Sequence, residues 1–140
     1  MKTNEITEKI IGCAYQVHNT LGSGFLEKVY ENAMCIEIGK SGLKVVQQRP
    51  IEVLYDDVVV GEYFIDLFVE DLAVVELKAS HAIHDAHLAQ GMHYLKALGL
   101  EIGLLINFGK SVQVKRVINS LVSSKKKPPA RKTDQGDSAN

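Results

Sequence analysis

A change of hydrophobic period at Leu43 limits the fold more than any other feature of the chain. Before it, apolar residues recur at helical spacing; after it, they alternate or run together as they do in strands. Helical spacing returns once, from about His84 to Leu98, and then gives way to strands again. Such a chain reads α-α-β-β-β-α-β-β, a mixed α/β sandwich in which two helices precede any strand.

The first helix is expected from about Asn4 to Leu21, with Ile6, Ile10, Ala14, Val17 and Leu21 on one face and Gly22 as its left-handed stop. After a Gly22-Ser23-Gly24 turn, the second carries Leu26, Val29, Tyr30 and Ala33 and ends near Ser41-Gly42. Val45 to Gln48 and Ile51 to Tyr55 read as one strand interrupted near Pro50, which suits a sheet edge because proline lacks the ladder's donor. Asp56-Asp57 is a turn, Val58 to Gly61 begins the return, and Tyr63 to Val69 followed by Ala73 to Lys78 completes a three-strand antiparallel meander. The third helix has a core stripe of Leu88, Met92 and Leu95 and is stopped by Gly99. Ile102 to Phe108 is apolar throughout, as expected of a strand covered on both faces and lying parallel to a meander strand after a crossover. Val112, Val114 and Arg116 alternate into a last short strand.

At 140 residues the chain suits one domain, expected over 1–122. Residues 123–140 are expected to be a disordered basic tail, since their Lys, Pro, Gly, Ser and Asp cannot bury a core. That tail holds five basic and two acidic residues, whereas the other 122 residues hold 11 basic and 15 acidic ones. An acidic body argues against nonspecific coating of nucleic acid, which depends on phosphate contacts, but not against an enzyme whose bound cations offset its own carboxylates. The N-terminus has no apolar run of a signal peptide, and no stretch approaches the roughly 20 apolar residues of a membrane helix. Cys13 and Cys35 both fall in helical patterns and read as reduced thiols of a cytoplasmic protein.

Chemistry concentrates in Glu76-Leu77-Lys78. In a strand, Glu76 and Lys78 project from the same face, and a charged pair in an otherwise apolar strand costs free energy unless something neutralises it. Asp66 sits in a similar run, Phe64 to Phe68. Two carboxylates at close range repel, and a divalent cation relieves that repulsion. Asp66 opposes Glu76 only if the hairpin pairs 67 with 75, 68 with 74 and 69 with 73, leaving Glu70-Asp71-Leu72 as a three-residue loop. A two-residue turn at Glu70-Asp71 would instead put Asp66 opposite Val75, on the wrong face. The alternative to a site is a buried ion pair of Lys78 with Glu76 or Asp66 and no chemistry.

On the third helix, Gln90 and Tyr94 share a face with His87 and border the sheet; on the second, Glu27 and Tyr30 share a face. Taken singly, the two tyrosines read as core aromatics with a wet hydroxyl and Glu27 as a solvated helix residue. His81, His84 and His87 recur every three residues, yet no cysteine and no H-E-x-x-H pattern accompanies them, so a solvated helix start is preferred to a zinc site.

Together, Asp66, then Glu76-Leu77-Lys78, then Gln90-Gly91-Met92-His93-Tyr94 resemble the PD-(D/E)XK (restriction-endonuclease-like) nuclease pattern with its Q-x-x-x-Y motif. Gly24 to Tyr30 further resembles the G-x-x-E-x-x-Y signature of a small bacterial family of that superfamily, and His18 to Gly22 and Leu105 to Gly109 suit it too. The resemblance spans about residues 4–120. Ile65 replaces the proline of the superfamily's name, and Phe64 stands where many relatives carry a basic residue, removing one phosphate contact.

The resemblance implies a restriction-endonuclease-like core and a Mg²⁺ site, Mn²⁺ substituting, held by Asp66, Glu76 and the carbonyl of Leu77 with Glu27 as a fourth contributor. It implies hydrolysis of phosphodiester bonds by a metal-activated water, with Lys78 holding that water or stabilising the transition state. Gln90 and Tyr94 would position the phosphate or Lys78. Nucleic acid, DNA before RNA, is the expected partner; no membrane is, and a homodimer is compatible with the sequence. The rival reading is a nucleic-acid-binding or protein-interaction module that keeps the fold without turnover.

Overall fold

The computed structural model describes residues 2–123. The expected basic tail lies outside them, apart from Ser123. Helices α1 (Thr3–Leu21) and α2 (Glu27–Lys40) come first, followed by strands β1 (Val45–Tyr55), β2 (Val58–Val69) and β3 (Ala73–Lys78). Helix α3 (Asp85–Leu98) leads to β4 (Ile102–Phe108), β5 (Val112–Ile118) and a single turn, α4 (Ser120–Ser123). The first eight elements are those expected from the hydrophobic periods; α4 adds a turn where no helix was expected.

Five strands form one mixed sheet in the order β1-β2-β3-β4-β5, antiparallel except where β3 meets β4. That parallel pair follows from the α3 crossover, and β4 is buried along its whole length, as a strand covered on both faces must be. Proline 50 lies on the edge strand opposite Phe64, but it does not interrupt β1. Two residues earlier Gln48 takes a left-handed φ of 56° without changing the register, which shifts instead between Val53 and Leu54. Asp56 and Asp57 both have positive φ, which gives a tight hairpin the twist that matches its strands. At the next hairpin Val69 pairs with Ala73, Phe68 with Val74 and Leu67 with Val75, so Glu70 to Leu72 is a three-residue loop.

The two faces of the sheet have separate cores. Alternate residues Leu67, Val69, Val75, Leu77, Leu104 and Ile106 pack against Ile10, Val17, Tyr30, Met34 and Ile38 of the first two helices. On the opposite face Phe68, Val74 and Val117 pack with Tyr94 and Leu95 of α3. Glu76 and Lys78 continue the parity of Val74, so both belong to the face that α3 covers. None of the helices among the described residues is long and apolar enough to cross a membrane, and both cysteines are free.

Candidate active site

Asp66 and Glu76 come together because of the three-residue loop. Past the Leu67–Val75 pair, bonding between β2 and β3 passes to side chains: the Asp66 amide donates to Glu76 Oε2 at 3.0 Å. In return, the Leu77 amide donates to Asp66 Oδ2 at 2.8 Å. Each carboxylate thus occupies a place that a main-chain carbonyl would fill in a regular ladder, which holds both at the seam between the strands.

Burial dominates the electrostatics. Glu76 is 8% exposed, and burial, followed by the charge of Asp66, pushes its carboxyl up to about 8. The Asp66 carboxyl is also raised, chiefly by burial and then by the charge of Glu31, although the Leu77 amide, Lys78 and Gln48 oppose the shift. A cation placed beside two such crowded carboxylates would oppose both shifts.

The amine of Lys78 is half-buried and makes no ion pair among the described residues, whose three salt bridges lie elsewhere. Its charge still acts on Asp66, Glu76 and His87. The alternative of a closed Lys78–carboxylate pair is therefore not what the chain forms. From the α3 side, Gln90 Nε2 donates to the Tyr94 hydroxyl at 2.9 Å. Burial and then the charge of Glu76 push that phenol up to about 12.

Glu27 stands apart. It opens α2 exposed, makes no hydrogen bond to either carboxylate among the described residues, and exerts its charge on His87. One turn further along, Glu31 is the α2 carboxylate nearest the pair in effect; it is 4% exposed and accepts from Gln47 at 2.7 Å. Gln48 donates to both Glu31 (3.0 Å) and Asp66 Oδ1 (3.3 Å), linking α2 to the site. Neither residue was picked out from sequence. Their signal was the polar pair Gln47-Gln48 in a strand, and a glutamate four residues after Glu27 on the same helical face.

Tyr30 is structural. Its hydroxyl is not wet: it donates to the Gly22 carbonyl at 2.6 Å, and its ring stacks on Phe108 with centroids 4.5 Å apart. Asn107, fully buried, clamps the turn after Lys78 by accepting from the Ser80 amide and donating to the Ser80 carbonyl, both at 2.9 Å. His18 reaches the carbonyl of Gly109 at 2.9 Å. Asn107 thus braces the turn after β3, and His18 ties α1 to the turn after β4. Of the three histidines, His84 and His87 lie edge to face at 5.4 Å, while His81 is exposed before the helix.

Among the described residues, no group of three or more His, Cys, Asp and Glu side chains is placed to hold one metal ion. The donors at the seam nevertheless fit a hard divalent cation that keeps much of its water: two carboxylates, with Glu76 Oε1 accepting no hydrogen bond among the described residues.

A mixed five-strand sheet flanked by helices, with an acidic pair where two strands part and a lysine beyond it, defines a restriction-endonuclease-like protein. Residues 4–117 match the model of the PD-(D/E)XK nuclease superfamily, and the chain belongs to that superfamily. Its members are generally nucleases and typically use divalent metals. No curated protein matches the chain.

Proposed function

We propose that the protein is a Mg²⁺-dependent nuclease that hydrolyses phosphodiester bonds of DNA in the cytoplasm. The observation that carries the reading is the exchange between Asp66 and Glu76, which holds two unwilling carboxylates side by side, with a lysine two positions along the strand that makes no ion pair among the described residues. Asp66, Glu76 and the carbonyl of Leu77 would hold the ion, and Glu27 would contribute through water. When bound, the ion supplies a water of lowered pKa and offsets charge on the phosphorane.

The chain's own groups do the rest. Lys78, which makes no ion pair among the described residues, holds the attacking water or donates to the phosphoryl oxygens. Gln90 and Tyr94 form one hydrogen-bonded unit that orients the substrate strand from the α3 side. Glu31, through Gln48, keeps Asp66 turned toward the seam.

A second reading, a nucleic-acid-binding or protein-interaction module without turnover, is favoured by Phe64, an exposed apolar side chain two residues before Asp66 where a cation would meet phosphate. One assay separates them. Linear, nicked and single-stranded DNA are incubated with Mg²⁺ or Mn²⁺ and either the protein or its Lys78→Ala variant. Cleavage that disappears in the variant supports the nuclease; no cleavage of any substrate together with no metal-dependent rise in melting temperature rules it out. Metal stabilisation without cleavage selects a third reading, a metal-binding regulator of a partner nuclease.

A further inference from the structure

Beside the acidic pair runs a second feature, most of which the proposed chemistry leaves unused. A groove of about 790 Å³ separates α3 from the half of the β1–β2 hairpin nearer its turn. Its floor includes Ile51 and Tyr94, and one end carries Gln90 and His87, which connect it to the candidate active site. Gln90 and Tyr94 are thus shared: one face of their hydrogen-bonded unit meets the acidic seam in charge, and the other lines the groove.

The groove's chemistry is specific. Its one carboxylate, Glu52, is matched by the ammonium of Lys96, with the imidazoles of His87 and His93 between apolar side chains, so the groove lacks the acidic excess of the body around it. On the hairpin wall stands Tyr63, 49% exposed. Its ring lies 6.2 Å from that of Tyr94 at 54°, a tilted contact that fixes one side and leaves a face open. The helix wall from Ala86 to Ala97 spans about 16 Å. A cavity of this volume holds a ligand of a few rings rather than a double helix. Moreover, paired bases keep their faces inside the stack, where a ring set in a concave wall cannot reach them.

We propose that this groove takes an unpaired stretch of the nucleic-acid substrate, with a base stacked on Tyr63 and the backbone passing His93 and Lys96 toward the acidic pair. The inference deepens the nuclease reading and rests on it for the direction of the strand. It names the substrate class as single-stranded or splayed nucleic acid rather than uninterrupted duplex. An open aromatic platform such as Tyr63, with an ammonium such as Lys96 beside the path, is a general means of holding single strands without reading their sequence. Tyr63 is a binding residue here, outside the set that handles the scissile phosphate.

The test measures binding, not turnover. In a Lys78→Ala background with Mg²⁺, fluorescence anisotropy compares a labelled 12-nucleotide oligothymidine with a blunt duplex of equal length. Tighter binding of the single strand is expected. Tyr63→Ala should weaken it roughly 5- to 100-fold, as loss of one stacked base does, and leave duplex binding unchanged. Tyr63→Phe, which keeps the ring, should stay within about 2-fold of the parent, and thermal melting verifies that each variant folds. Indifference of single-strand binding to Tyr63→Ala, or equal loss for duplex and single strand, overturns the groove. Failure of the nuclease reading looks different: Tyr63-dependent binding would persist while the Lys78 protein cleaves nothing.

Discussion

The amide of Asp66 donates to the carboxylate of Glu76 at 3.0 Å, and the carboxylate of Asp66 accepts from the residue after Glu76 at 2.8 Å. This reciprocal exchange keeps both acids at the strand seam even while their charges repel. Glu76→Gln keeps an oxygen to accept the Asp66 amide but removes the cost of an ionised, buried acid. The variant without metal is expected to be more stable than the parent at pH 8 by about 2–4 kcal/mol. It should also lose the rise in melting temperature on adding Mn²⁺, and with it any DNA cleavage. Calorimetry with EDTA or Mn²⁺ checks both; a variant less stable than the parent at pH 8 would contradict the role given to Glu76.

The same residue sets the pH dependence of the metal-free protein. The Glu76 carboxyl titrates near 8 in the folded chain against 4.5 for an ordinary glutamate. The folded state therefore binds a proton more tightly than the unfolded one, a contribution fully present below about pH 4.5 and lost as pH rises through about 8. Melting temperature in EDTA should fall between pH 5 and pH 8, and Glu76→Gln should flatten that slope. Asp66, raised in the same direction, adds to the slope at its lower end. A curve rising across this window would overturn the assignment.

Lys78 makes no ion pair among the described residues, so its removal should separate activity from stability. Lys78→Ala is expected to change stability by no more than about 0.5 kcal/mol. Its cleavage rate should drop roughly 10²- to 10⁴-fold, the range for a group that moves a proton or meets charge in the transition state. Parallel melts and single-turnover cleavage decide the matter. A loss of several kcal/mol would restore the buried ion pair as the better account of this residue.

Tyr30 yields the opposite split. Its hydroxyl joins the Gly22 carbonyl to the start of α2, where it also accepts from the Phe25 amide at 3.3 Å. Tyr30→Phe should cost about 1–2 kcal/mol by leaving the Gly22 carbonyl short of a partner, with cleavage per folded molecule unchanged. Denaturant unfolding and an active-fraction-corrected assay measure the two. A specific loss of activity in a fully folded variant would make Tyr30 part of the site.

Which of these features were legible in the sequence depends on how local their causes are. The order of elements follows from hydrophobic period, and the three-residue loop at Glu70 follows from requiring Asp66 and Glu76 to share a face; both are properties of short segments. Pro50 correctly marked an edge, yet β1 departs from regularity on either side of it, at Gln48, whose side chain reaches Asp66, and between Val53 and Leu54, where the register shifts. Glu27 stood out through its motif while Glu31 did not, since only the docking angle of α2 decides which turn of the helix points at Asp66. The groove was illegible for the same reason: Tyr63 and Lys96 are far apart in sequence, and only the lean of the hairpin over α3 places them on facing walls.

Gln48 is where local strain and site geometry meet, and the two can be pulled apart. Its φ of 56° is a conformation that a residue with a Cβ holds at a cost of about 1–2 kcal/mol. The amide recovers that cost by donating to Glu31 and Asp66. Gln48→Ala keeps the strain and removes the hydrogen bonds, so it should destabilise the protein by about 1–3 kcal/mol. Gln48→Gly removes both, and should be the more stable of the two variants by about 1 kcal/mol. Both should weaken Mn²⁺ binding to a similar extent, because each leaves Asp66 without the link that orients it. Isothermal titration with Mn²⁺ and denaturant melts on the two proteins provide the comparison. Equal stability of the alanine and glycine variants would show that the left-handed turn carries no strain, and unaltered Mn²⁺ affinity in both would remove Gln48 from the support of the site.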